Sequence, residues 1–133
     1  MAGGVMPDMK TAATIALFCA GGGLARYCLS GWVYTLLGRA FPYGTFAVNI
    51  IGAYLIGLIM ELGLRSTLIP DTLRLGLTVG FLGGLTTFST FSYETFTLLE
   101  DGRFLVAFVN VLASVAICLV FTWLGIITVR TLA

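Results

Sequence analysis

From Phe104 to Val129 the chain runs for 26 residues without a charged side chain. A bilayer's hydrocarbon core is about 30 Å thick, and an α-helix needs roughly 20 apolar residues to cross it. In lipid, backbone groups must be satisfied within the segment, so a run of this length folds as a transmembrane helix. Three more stretches are of the same kind. Thr11–Ala25 is uncharged for 15 residues before Arg26, and Tyr27–Leu37 either extends it or turns at the interface. Gly44–Met60 has 17 uncharged residues, and Leu75–Tyr93 has 19 and continues helically to Leu99. The expected fold is all-α, a single membrane domain over 1–133, with spans at about 11–37, 44–64, 72–99 and 103–130.

Composition agrees. The chain is 59% hydrophobic and 10% charged, against roughly 25% charged in soluble domains. A surface this apolar needs a lipid bilayer as its partner. The net charge of +1 gives no electrostatic case for nucleic acid. Histidine is absent, which removes the usual proton relay and metal ligand. Cys19, Cys28 and Cys118 lie in apolar stretches without CxxC spacing, so they read as packing residues. No clustered carboxylates or activated nucleophile suggest an enzyme, and no organic cofactor is implied. The opening "MAGGVMPDMK" has the look of a signal-peptide start, but the apolar run after Lys10 exceeds a short h-region.

The connections "GRAFPYG", "LRSTLIPD" and "EDGR" are short, so consecutive helices should pack antiparallel, with Asp71 expected to cap the third. One end of the bundle then holds Lys10, Arg65, Arg74 and Arg130. The other holds Arg39 and Arg103, with Arg26 if it snorkels that way. By itself this asymmetry favours one orientation over insertion both ways followed by antiparallel pairing. Gly76, Gly80 and Gly84 repeat every four residues and form one small-residue face; Ala53 and Gly57 form another.

The polar groups inside the spans are few. "GFLGGLTTFSTFSYE", Gly80–Glu94, combines a double glycine with five hydroxyls in the seven residues from Thr86. A helix break near 83–87 is expected there, with Thr87 capping the new helix. A broken helix at membrane depth frees carbonyls that can hold a cation and presents N–H groups that favour an anion. The plain alternative is a continuous helix whose hydroxyls bond back to their own carbonyls. Phe88 and Phe91 share a face, as lipid-facing or packing rings or as ring edges toward a narrow anion path. Thr45 and Asn49 are four apart on the second span, as are Asn110, Ser114 and Cys118 on the fourth. Each set is either interhelical glue or part of a donor track without a cation. Arg26 and Glu94 are the ionisable residues well inside apolar sequence. Arg26 could draw anions into a vestibule or snorkel outward; Glu94 could pair with a hydroxyl or arginine, or titrate.

"GGGLARY" (Gly21–Tyr27), "GTFAVNIIG" (Gly44–Gly52) and "GFLGGLTTFSTFSYE" together resemble the Fluc family of fluoride channels, also called CrcB-type fluoride exporters. The resemblance covers nearly the whole chain. It implies a passive fluoride-selective channel in a prokaryotic inner (plasma) membrane, built as an antiparallel, dual-topology homodimer of four-helix subunits. It implies two fluoride pores, and a central sodium ion held by the backbone carbonyls of Gly83 and Thr86. By motif position Phe88 and Phe91 match the pore phenylalanines, Asn49 the pore asparagine and Ser114 the fourth-span serine. Thr45, Thr87 and Ser89 are the nearby pore hydroxyls. Asn110 and Cys118 stand where some members carry tyrosine and serine, and join Arg26 and Glu94 as accessory positions. The resemblance also reverses the preference on orientation, because a near-balanced charge is what dual topology requires. Two other classes remain: a small proton-coupled drug exporter using Glu94, and a non-transporting scaffold held by the glycine faces.

Overall fold

The computed structural model describes residue 6 and residues 8–132, which are helical with short connections and no strand among them. The opening segment read against a signal peptide lies partly outside the described residues. The helices are α1 (Met9–Leu37), α2 (Tyr43–Arg65), α3 (Asp71–Leu75), a π-helical stretch (Gly76–Leu82), α4 (Gly83–Leu85), α5 (Phe88–Glu100) and α6 (Phe104–Leu132). From α3 to α5 they form one interrupted span, Asp71–Glu100, so among the described residues four helical units are each long and apolar enough to cross a membrane.

The ends follow local chemistry. Asp8 caps α1 by accepting from Thr11 N–H at 2.7 Å. Its hydrogen bonds with Thr11 hold its carboxyl below the usual carboxylate range. The expected cap at Asp71 is not formed. Pro70 occupies the N-cap position, and Asp71 sits in the first turn of α3, pairing with Arg74 at 3.2 Å. Proline has no N–H to satisfy and favours the extended backbone of a cap, which moves the helix start one residue earlier.

Packing follows the small-residue faces. α2 lies along α6, and α1 lies along the π-helical stretch and α4. At Gly84 a β-carbon would stand 2.6 Å from the Cys19 carbonyl oxygen and 2.8 Å from Gly23 N, both immovable backbone. Gly57 and Gly125 bring α2 and α6 equally close, each facing the other helix's backbone. Lipid gives no hydrophobic drive for helix association, so this contact area and a few hydrogen bonds, such as Thr122 Oγ1 to the Ala53 carbonyl at 3.0 Å, must hold the bundle. Val48, Leu82 and Leu85 form a small core behind the interruption of the third span. Leu17, Leu24, Leu105 and Val120 are exposed, as side chains against lipid would be.

Candidate functional site

The third span is interrupted two residues beyond its double glycine. The π-helical stretch ends with Gly83 N–H shared between the carbonyls of Gly80 and Thr78, the second an i−5 bond. One further helical turn carries the chain to Leu85. Thr86 (φ −88°, ψ 156°) and Thr87 (φ −151°, ψ 111°) are then extended. α5 restarts at Phe88 because Thr87 Oγ1 accepts from Thr90 N–H at 3.1 Å, the N-cap expected from sequence.

The carbonyls that precede the break meet different partners. The Leu82 carbonyl accepts from Thr86 N–H at 3.0 Å and from Thr86 Oγ1 at 2.8 Å. The Gly84 carbonyl accepts from Arg26 Nε at 2.9 Å. Arg26, expected in a vestibule or snorkelling outward, is therefore turned onto the break, where its charge complements the negative end of the first half-span. The Gly83 carbonyl loses its helical donor, since Thr87 N–H turns instead to Asn49 Oδ1 at 2.8 Å. Gly83 is exposed. Asn49 Nδ2 donates to the Thr87 carbonyl at 3.2 Å, so the carboxamide stands in for a strand partner to the backbone of one residue. Asn49 has two amide protons, and one of them is left for a ligand.

Beside this contact is a groove of about 360 Å³ between α2, the break, α5 and α6. Asn49, Thr87, Phe88, Phe91, Ser114 and Cys118 line it, with Val115 and Leu119 on its apolar side and no charged side chain among its lining residues. The Phe88 and Phe91 rings lie 5.5 Å apart, tilted by 46°. Phe88 is 78% exposed, so the groove is open along one side of the helix bundle. Ser89, also exposed, sits with its hydroxyl 3.3 Å from that of Thr87. A second groove, about 320 Å³, runs past Thr78, Gly83, Thr86, Gly52 and Asn49.

Two more polar clusters extend from the aromatic pair. Glu94 accepts from Thr45 Oγ1 on one carboxylate oxygen and from the Tyr34 hydroxyl on the other. Thr45 and Asn49, read as one face of α2, thus serve two successive contacts with the third span. The Arg39 guanidinium lies 4.2 Å over the Tyr34 ring. Asn110 is 1% exposed and donates from Nδ2 to Thr95 Oγ1 at 2.9 Å, while Thr95 donates to the Phe91 carbonyl at 2.7 Å. Ser114 donates to Asn110 Oδ1 at 3.3 Å. Asn110 lies behind the groove as support, whereas Cys118 faces into it. Tyr34 and Thr95 escaped the sequence reading. Tyr34 meets a carboxylate 60 positions away, and nothing local marks it.

The chain is similar to known proteins over nearly its whole length. A family model described as "CrcB-like protein, Camphor Resistance (CrcB)" matches residues 13–126. The "Fluoride-specific ion channel FluC" of Trichlorobacter lovleyi is 83% identical over 125 residues, covering 94% of this chain and 100% of the relative. The protein of the same name from Pelobacter propionicus is 81% identical, covering 93% of this chain and 96% of its own length. That from Geobacter sulfurreducens is 68% identical, covering 93% and 100%.

Proposed function

This chain belongs to the CrcB family, and from that premise we propose that it is a fluoride channel, a multi-pass membrane protein that lets fluoride leave the cell passively. The observation that carries the reading is the groove that gathers Asn49, Ser114, Phe88 and Phe91 with no charged side chain in its lining. Fluoride is small and strongly hydrated, so passage needs donors that replace water without trapping the ion. A lysine in the path would hold it, while conduction needs entry and exit alike. The unused Asn49 amide proton and the Ser114 hydroxyl, held only by a 3.3 Å bond, are such donors. The positive edges of the Phe88 and Phe91 rings add polarised C–H contacts. The N-terminus of α5 directs its dipole toward the same place. Chloride is larger and bonds these donors more weakly, so a narrow passage discriminates against it. Export lowers cytoplasmic fluoride when HF crosses the membrane and dissociates inside.

The working unit in this proposal is an antiparallel homodimer in a prokaryotic inner membrane, with both orientations present. Two features support it. The groove is open on one side of the helix bundle and needs a second wall before it can enclose an ion. The Gly83 carbonyl is freed from its helical donor, and Gly83 is an exposed residue. Hard carbonyl oxygens suit a sodium ion, and unwound backbone at membrane depth is where such ions are held. One subunit offers the Gly83 and Thr86 carbonyls; two copies related by a twofold axis offer four. The ion would act structurally, tying the two interrupted spans together off the anion path.

Two observations weigh against a drug exporter switched by Glu94. Both carboxylate oxygens already accept hydroxyl hydrogen bonds, and the residue lies beyond the aromatic groove. The deciding experiment is fluoride efflux from proteoliposomes of the purified protein, with chloride as control. Fast fluoride loss with little chloride loss is expected. Absence of fluoride flux from folded protein, or equal chloride flux, would defeat the reading.

A further inference from the structure

A different cluster lies at the end of the bundle that holds the finish of α2 and of α6. Glu61 is a carboxylate whose side chain is 8% exposed. Its Oε1 accepts from Arg65 Nε at 2.7 Å and from Arg130 Nε at 2.8 Å. One oxygen thus gathers two guanidinium groups, each held by its Nε edge, with the arginine side chains 47% and 51% exposed. A guanidinium has five N–H donors, so the Nη groups of both remain for another acceptor. Two positive charges on one carboxylate leave an excess of one. The neighbouring carboxylate does not cancel it: Asp71 is paired one for one with Arg74.

Position selects the ligand. Arg65 closes α2 and Arg130 lies in the last turn of α6, both spans long enough to cross a bilayer. Their guanidinium groups therefore stand where lipid headgroups begin. Leu64 and Leu132, 77% and 83% exposed, flank them and suit acyl chains better than water. Phosphate matches the planar fork of arginine, and basic pockets between spans suit anionic headgroups. We propose that Arg65 and Arg130, gathered by Glu61, form a binding site for the phosphate of an anionic phospholipid.

The test uses the purified full chain and does not depend on ion flux. Native mass spectrometry compares retention of phosphatidylglycerol with that of phosphatidylcholine. Wild type should retain phosphatidylglycerol preferentially. Arg65→Gln and Arg130→Gln each leave one guanidinium on Glu61, a neutral pair. Either should lower the preference about fivefold, the factor that ~1 kcal/mol per basic side chain at an anionic surface corresponds to. Arg103→Gln, at the opposite end, should leave it unchanged. Either arginine variant suffices if the other fails to fold. The proposal falls if wild type shows no preference, if the loss is the same in Arg103→Gln, or if a folded Arg65 or Arg130 variant retains full preference. Retention of inorganic phosphate in preference to phosphatidylglycerol would also overturn it, in favour of a soluble-anion site.

Discussion

Asn49 and Thr87 are joined through two hydrogen bonds to the backbone of one residue: Asn49 Oδ1 accepts from Thr87 N–H at 2.8 Å, and Asn49 Nδ2 donates to the Thr87 carbonyl at 3.2 Å. This pairing holds the third span open. Asn49→Asp keeps the acceptor but sets a carboxylate oxygen against the Thr87 carbonyl. Loss of the donor should destabilise the protein by about 1–3 kcal/mol, the range for a buried group left unpaired. It should also abolish most fluoride efflux, because the remaining amide proton is lost as well. Thermal unfolding in detergent and efflux per folded protein check both parts; a variant that matches wild type in both would remove Asn49 from the site.

The phenylalanines separate packing from permeation. Phe88 is largely exposed, whereas Phe91 is half-buried. Isoleucine keeps apolar bulk and removes the polarised ring edge. Stability should fall by no more than ~1–2 kcal/mol in Phe91→Ile, and less in Phe88→Ile. Fluoride efflux should fall at least tenfold in each. Efflux that merely tracks the amount of folded protein would make the rings structural.

Glu94 depends on its two hydroxyl donors. Thr45 is 4% exposed, so Thr45→Val leaves one carboxylate oxygen without a partner in a dry place. A loss of about 1–3 kcal/mol is expected, with Thr45→Ser restoring most of it. Equal unfolding temperatures for the valine and serine variants would count against the contact.

Close backbone approach makes a sharper test of the packing. Gly84→Ala places a methyl group 2.6 Å from the Cys19 carbonyl oxygen, whereas Gly31 has nothing within 4 Å of the same position. Gly84→Ala should lose roughly 1–3 kcal/mol or fail to assemble, and Gly31→Ala should be neutral or slightly stabilising. The reverse order, measured by thermal unfolding, would contradict the α1–α4 contact.

Orientation is testable without ion flux. Single cysteines introduced near Arg39 and near Arg65, in a background without Cys19, Cys28 and Cys118, should each be labelled from both sides of the membrane if both orientations are inserted. Labelling of each site from one side only would exclude dual topology.

The sequence by itself determined the four spans, because a charge-free run as long as Phe104–Val129 has one stable form in lipid. It also marked the interruption of the third span and its cap, since Thr87 and the glycines before it are local signals read within a few residues. The small-residue faces at Gly76, Gly80 and Gly84, and at Ala53 and Gly57, were legible for the same reason, although their partners α1 and α6 were not. What required the tertiary structure was the destination of each polar group. Asn49 meets Thr87 across 38 positions, Arg26 meets the Gly84 carbonyl across 58, and Tyr34 meets Glu94 across 60. Glu61 directly follows the charge-free run Gly44–Met60, and only packing of α2 on α6 brought Arg130 to it across 69 positions. Hydrophobic length is a property of one segment, but a hydrogen bond in lipid is chosen by whichever donor and acceptor the packed helices bring together. For that reason the helix count was already present in the residue order, while the roles of Asn49, Arg26 and Glu94 were set by their neighbours in space.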